Sequence, residues 1–186
     1  MMQHDDTQLI DRILDGAVQD YSILIKRHKD LAFTIAYRLL SSREDAEEVV
    51  QDAFIKAYRN LKGFRRDSRF STWLFRIVYN TALSKRRSRK PGFQRIDDLL
   101  VVQEDPDRTA DERENHHERG LMLERAMQQL PEDERALITL FYLNESTVEE
   151  IHDITGLTKS NIKVKLFRAR KKLRDFVSVM AEGLYI

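Results

Sequence analysis

Cysteine is absent from these 186 residues, which excludes a disulfide framework, a thiolate metal site and a thiol redox switch. Proline and glycine are scarce, 3 and 6. That disfavours a turn-rich all-β fold and suits long helices. No apolar run approaches the roughly 20 residues that a membrane span needs. The segment Met1–Asp6 is polar and acidic, unlike a secretory signal, so the expected location is the cytoplasm. There is no Gly-rich phosphate loop and no histidine cluster at metal-ligand spacing. His116 and His117 are adjacent, while His4, His28 and His152 are scattered, and all read as surface histidines. With no catalytic constellation, no metal site and no cofactor signature, neither an enzyme acting on nucleic acid nor a small-molecule substrate is expected.

What remains is hydrophobic and charged. Hydrophobic residues make up 41% and charged residues 34% of the chain, which implies an all-α, water-soluble protein with room for a packed core. Net charge is +1, but this average hides segregation. Between Lys62 and Arg95 the only acid is Asp67. Between Asp97 and Glu118 the only basic residues are Arg108 and Arg113. From Lys159 to Arg174 there is no acid at all. A basic–acidic–basic order is the layout of two polyanion-binding surfaces joined by an acidic tether; solvated helix faces are the plainer alternative.

Helical periodicity organises the chain. A short helix is expected from Thr7, as N-cap, to Asp15, with Gly16 as the stop. A second runs from Val18 to Leu40, with Tyr21, Leu24, Ile25, Leu31, Ile35 and Leu39 at helical spacing. A third opens at Ser42, where Ser42 and Asp45 resemble a capping box. Its stripe is Ala46, Val49, Val50, Ala53, Phe54, Ala57, Tyr58 and Leu61, ending at Gly63. After a loop from Lys62 to Arg69, a fourth helix covers Ser71 to Arg89 and is broken by Pro91-Gly92. The aperiodic, charged stretch that follows reads as a flexible linker. The expected organisation is therefore two small helical domains, 1–89 and 113–186, around a linker at 90–112. The second opens with a helix from Arg113 to Gln129. Pro131 suits the first turn of the next helix, which carries Ala136, Leu137, Leu140 and Phe141.

The richest segment is Glu149 to Leu173. Ser146 to Glu149 read as a capping box opening a short helix to Ile154, with Ile151 and Ile154 inward. Thr155-Gly156-Leu157 make the turn, Leu157 plugs the angle, and Thr158 caps a last helix in which Ile162 and Leu166 pack back. This is a helix-turn-helix. Lys159, Ser160, Asn161, Lys163, Val164, Phe167 and Arg168 stand off the core face, where such a helix presents side chains to a DNA major groove. An amphipathic hairpin that only packs is the alternative.

Here a family resemblance becomes specific. EEIHDITGLTKSNIKVKLFRARKKLR resembles the C-terminal DNA-reading segment of extracytoplasmic-function sigma factors of the sigma-70 family. LPEDERALITLFYL resembles the helix preceding it, REDAEEVVQDAFIKAY the core-polymerase-binding helix, and FRRDSRFSTWLFRIVYNTALSKRR the −10-reading and melting segment. The four occur in family order and cover nearly all of the chain.

The resemblance implies a transcription initiation factor. Its partners would be core RNA polymerase, at the clamp and flap regions, promoter DNA, and an anti-sigma factor. It implies that Glu48, Gln51, Asp52 and Lys56 meet the polymerase. For the −10 element it implies Phe64, Arg65, Arg66, Arg69, Arg76 and Asn80, with Lys85, Arg86, Arg87, Arg89 and Lys90 on duplex phosphates. Phe64, Phe70, Trp73, Phe75 and Tyr79 could all supply aromatic faces for bases. The core spacing of Trp73 with Ile77 makes Trp73 mainly packing. For the −35 element it implies Lys159, Ser160, Asn161, Lys163, Val164, Lys165, Phe167, Arg168 and Arg170. Val164 stands where many relatives have a small polar residue, and Thr158 and Ser160 stand where Pro and Gly are frequent, so no promoter sequence carries over. The acidic linker is either a nucleic-acid mimic or an inert tether. A stand-alone helix-turn-helix regulator is the competing function. It would account for the last domain but not for the QDAF and TWLFRIVYN strings.

Overall fold

The computed structural model describes residues 6–88 and 110–183. Among these residues helices are present and strands are not. The first group is α1 (Asp6–Leu14), α2 (Tyr21–Leu40), α3 (Arg43–Arg59) and α4 (Phe70–Ser88), with single 3₁₀ turns at Val18–Asp20 and Leu61–Gly63. The second is α5 (Ala110–Gln128), α6 (Glu132–Tyr142), α7 (Val148–Thr155) and α8 (Lys159–Gly183).

Helix α1 starts one residue before the expected cap, so Thr7 lies inside its first turn. The Asp6 carboxylate is bound by Arg27 at 2.9 Å and His28 at 2.8 Å, both from α2. Burial pushes the Asp6 carboxyl up, but the hydrogen bonds and charges of His28 and Arg27 hold it below its ordinary value. His28 is therefore not the surface histidine expected; its ring also packs near Phe70 and Phe75. Gly16, at φ +112°, turns the chain into the 3₁₀ segment, as a glycine can without Cβ strain.

Ser41 ends α2 in the left-handed region, φ 51°, and Ser42 immediately caps α3, its hydroxyl accepting from the Asp45 N–H at 3.3 Å. This two-residue turn sets α2 against α3. The Tyr21 hydroxyl ties the pair further by donating to the Phe54 carbonyl at 2.7 Å. Most of the expected α3 stripe is buried, Ala46, Val49, Ala53, Phe54, Ala57 and Leu61 among it. Tyr58 is an exception at 40% exposure, lying against the Tyr21 ring. On α4, Leu74, Phe75, Val78 and Ala82 are fully buried.

The expected linker lies outside the described residues, except that α5 already begins at Ala110, three residues earlier than expected. Pro131 is the N-cap of α6 rather than part of its first turn. The cap of α7 is also one residue later than expected. Thr147, not Ser146, accepts from the Glu150 N–H, and the Glu150 carboxylate accepts from the Thr147 N–H at 2.9 Å. Ser146 is buried and used elsewhere: its N–H donates to the Leu140 carbonyl and its hydroxyl accepts from Asn144. Thr147→Ala removes half of this box and is expected to cost about 1 kcal/mol, read as a lower thermal midpoint.

The two groups pack on each other, α6 against α2 and α7 against α4. This explains a feature of α2 that its own periodicity does not contain: Tyr37, Arg38, Leu39 and Leu40 are all buried, so its last turn is covered all round.

Candidate nucleic-acid interface

Gly63 and Trp73 sit between two concave sites on the first domain. The first is a groove of about 710 Å³ lined by Lys56, Arg59, Asn60, Gly63, Trp73, Ile77, Asn80, Thr81 and Ser84. The second is a cleft of about 370 Å³ lined by residues 63–68, Thr72, Trp73, Arg76 and Asp153. Helices α3 and α4 build the first; the loop between them builds the second. Phe64 packs on Trp73 and Phe70 with ring centroids 5.3 and 5.9 Å apart. Trp73 is partly buried, consistent with packing, yet one side lines both sites. Asn80 is exposed in the groove. Phe70, Phe75 and Tyr79 are buried at 4%, 0% and 3% exposure, so their rings offer no face to a base. Of the aromatics offered by the sequence, Phe64 and one side of Trp73 line these sites, while Phe70, Phe75 and Tyr79 are taken up by the helical core.

The cations divide by partner. Arg65, Arg76 and Arg87 are exposed. Arg66, at φ 64°, pairs with Asp11 of α1. Lys85 reaches Glu48 at 2.6 Å and Asp45 at 3.5 Å. Arg69 donates to Glu150 at 2.6 Å and Arg86 to Glu132 at 2.9 Å, both across the domain boundary. Arg89 and Lys90 lie outside the described residues. On α3, Glu48, Gln51 and Asp52 share one exposed face. Lys56 instead lines the groove and donates to Thr81 at 3.3 Å. Sequence reasoning passed over Arg59, Asn60, Thr81 and Ser84. Their signal was the i, i+4 spacing of Lys56 with Asn60 and of Asn80 with Ser84, which places polar side chains on facing edges of α3 and α4.

The helix-turn-helix is complete. Ile151, Ile154, Ile162 and Leu166 are fully buried, and Gly156 closes α7 at φ +73° with its N–H on the His152 carbonyl at 2.8 Å. Thr158 caps α8 by accepting from the Asn161 N–H at 3.3 Å. Lys159, Ser160, Asn161, Lys163, Val164, Phe167 and Arg168 are exposed together on α8. Phe167 is 65% exposed, unusual for a phenylalanine with a core beside it. Lys165 turns back to Asp133 at 2.7 Å, and Arg170 lies over the Phe141 ring at 5.7 Å, so both brace the domain. Burial pushes the Asp133 carboxyl up, but Lys165 more than offsets it and holds the group below its ordinary value. Glu150 follows the same pattern: burial raises it, while Arg69 and Thr147 bring it lower.

A helix-turn-helix on one domain and an aromatic-edged, cation-rimmed groove on the other make this a two-domain DNA-binding protein. Comparison with known proteins narrows the class. The family model Sigma-70 region 2 matches residues 24–91, and Sigma-70 region 4 matches residues 120–173. The chain is 32% identical over 93% of its length to the RNA polymerase sigma-H factor of Pseudomonas aeruginosa, covering 94% of that protein. It is 33% identical over 94% of its length to the ECF RNA polymerase sigma-E factor of Escherichia coli K12, covering 95% of it. Its fold resembles the solved structure of the sigma factor RpoE in complex with the anti-sigma factor NepR from Bartonella quintana, with a TM-score of 0.68, 24% identity, and 87% and 98% of the two chains covered. The chain belongs to the extracytoplasmic-function sigma factors of the sigma-70 family. It is a transcription initiation factor, not an enzyme, and the region 2 match has no place in a stand-alone helix-turn-helix regulator.

Proposed function

We propose that residues 1–89 bind core RNA polymerase and the −10 element, and that residues 113–186 read the −35 element. The observation that carries this reading is the pairing of two different DNA-facing surfaces on one chain: a groove suited to unstacked bases, and an exposed recognition helix suited to a duplex. In the groove, Asn80 supplies donor and acceptor groups to an everted base, and in the adjoining cleft Phe64 supplies a ring. Arg65, Arg66, Arg69, Arg76, Lys85, Arg86 and Arg87 hold the backbone. On α8, Lys163, Val164, Phe167 and Arg168 face base edges or phosphates, with Lys159, Ser160 and Asn161 at the leading end.

The polymerase contact is assigned to Glu48, Gln51 and Asp52, an acidic and amide face suited to a basic partner. Lys56 stands at its boundary with the DNA groove. Reversing charge at Glu48 and Asp52 is expected to weaken core binding by at least about tenfold, with the helical circular-dichroism signal unchanged. Equal affinity would remove the assignment. Asp52→Lys alone separates the polymerase effect from loss of the Glu48–Lys85 pair.

The working compartment is the cytoplasm, where polymerase and promoters are. Among the described residues no helix is long and apolar enough to cross a membrane. An anti-sigma protein is the expected inhibitor, as the similar RpoE is bound by one. Ile55, Tyr58, Tyr142, Leu143, Val164 and Phe167 are apolar side chains left exposed for such contacts.

A further inference from the structure

The loop between α3 and α4 holds one residue in a backbone state that its own chemistry disfavours. Arg66 sits at φ 64°, in the left-handed region, and is neither a glycine nor an asparagine. A residue with a full side chain keeps that state only where its surroundings impose it. Ser41, at φ 51°, is imposed on by the end of α2, its N–H donating to the Tyr37 carbonyl at 2.8 Å. Arg66 has no helix end to do this. Its Nη2 donates instead to the Asp11 carboxylate of α1, 55 residues away in sequence.

Helix α1 is itself pinned at both ends. At its start Asp6 binds Arg27 and His28 of α2. Near its end Arg12 reaches Asp20 at 2.8 Å. Leu9, Ile10 and Ile13 are buried on its inner face. From there α1 lies against the 3₁₀ turn Leu61–Gly63, which opens the loop. The far end of the loop is tied to the same support, because Phe70 packs on the His28 ring with centroids 5.5 Å apart. Residues 63–68 form a wall of the cleft of about 370 Å³ described above. The shape of that wall therefore depends on α1 at the start, the middle and the end of the loop.

From this arrangement we infer that Asp11 is a positioning residue for the −10 element: it fixes the Arg66 backbone, and with it the wall of the cleft, and so sharpens the choice of base. The inference rests on the −10 assignment above. Arg66 commits one guanidinium nitrogen to Asp11 and keeps its other N–H groups for a phosphate. Both side chains of the pair are exposed, so the pair adds little to the stability of the domain. A small bias still matters in a loop, where it shifts the populations of conformations that differ little in energy. The effect of Asp11 therefore falls on selectivity. The face Glu48, Gln51 and Asp52 lies on α3 and does not involve it.

The test uses the full chain with core polymerase, transcribing a promoter library randomised in the start-proximal element. Asp11→Ala should narrow the preference for the favoured base by roughly two- to fivefold, the weight of an exposed ion pair. Preference in the upstream element, core affinity and the thermal midpoint should stay nearly the same. Asp11→Glu keeps the carboxylate and should keep the preference. Asp11→Ala combined with Arg66→Gly is the decisive variant. Glycine takes a positive φ without Cβ strain, so the preference should recover although the ion pair is gone, while the overall rate falls with the lost cation. A loss caused by a damaged fold would persist in this double variant, and persistence overturns the inference. An Asp11 that acted only as a negative charge near DNA would give a different result again. Its removal would then raise the use of all sequences evenly, with preference constant and the gain fading in salt, and that outcome also overturns the positioning role. Asn80→Ala separates the two readings. A changed start-proximal preference in Asn80→Ala with none in Asp11→Ala removes the positioning role alone. Constant preference in both variants removes the −10 assignment, and the inference with it.

Discussion

Phe75→Ala is expected to destabilise the first domain by about 3–5 kcal/mol, the cost of a buried ring lost together with the cavity it leaves. Phe75 has no solvent exposure, lies on the core face of α4, and packs edge-on against the His28 ring at 6.1 Å. His28 in turn holds Asp6 and thereby the start of α1. One truncation therefore loosens α1, α2 and α4 together. A loss of this size is a large share of the roughly 5–15 kcal/mol that holds a typical domain folded. Denaturant unfolding followed by circular dichroism should show an earlier transition for the variant. Core binding and single-strand binding should fall together, because both surfaces are carried by the helices that Phe75 joins. A midpoint equal to that of the unsubstituted chain would mean that the α4 core is misassigned.

Phe167 is the opposite case. It is 65% exposed, so Phe167→Ala should barely alter stability. Its effect should fall on promoter choice. Loss of a base-contacting side chain costs about 1–3 kcal/mol at the contacted base pair, roughly five- to over a hundredfold in preference. Val164, at 43% exposure one turn earlier on the same face, should behave alike. Lys163→Ala offers the contrast expected of a phosphate contact, weakening all sequences evenly and flattening the salt dependence. Saturating Val164 and Phe167 and sequencing the promoters used would decide. A promoter profile that stays constant across such a library would show that α8 is not the reader.

These two phenylalanines also mark how much was legible in the sequence. Spacing placed Phe167 beside Leu166 on the open side of α8, where it lies, but counted Phe75 among the rings open to bases, although it is buried with Leu74 and Val78. Helix order, the helix-turn-helix and its inward residues, and the cap at Thr158 followed from local rules. Errors came where tertiary contacts outrank those rules. Ser146 lost its place to Thr147 because it closes the end of α6. Phe70, Phe75 and Tyr79 looked available to bases because aromatic composition does not distinguish a ring in a groove from one beneath it. Packing of the domains on each other left no trace in periodicity at all. Arg38 donates to Glu124, 86 residues away, and nothing local marks an arginine at the end of α2 as buried. The groove residues Asn60, Thr81 and Ser84 were missed for a similar reason, since they matter only once α3 and α4 lie side by side.

The central claim is that this chain confers promoter choice on core RNA polymerase through two separate DNA-reading surfaces. The most direct measurement is transcription in vitro by purified core polymerase on a genomic promoter library, with and without the protein, mapping the transcript starts. The account predicts a defined set of starts that appears only when both are present, sharing one upstream and one start-proximal sequence element. Loss of the shared upstream element in Phe167 variants, and of the start-proximal element in Asn80 variants, completes the prediction. Transcript starts that are identical with and without the protein would contradict it.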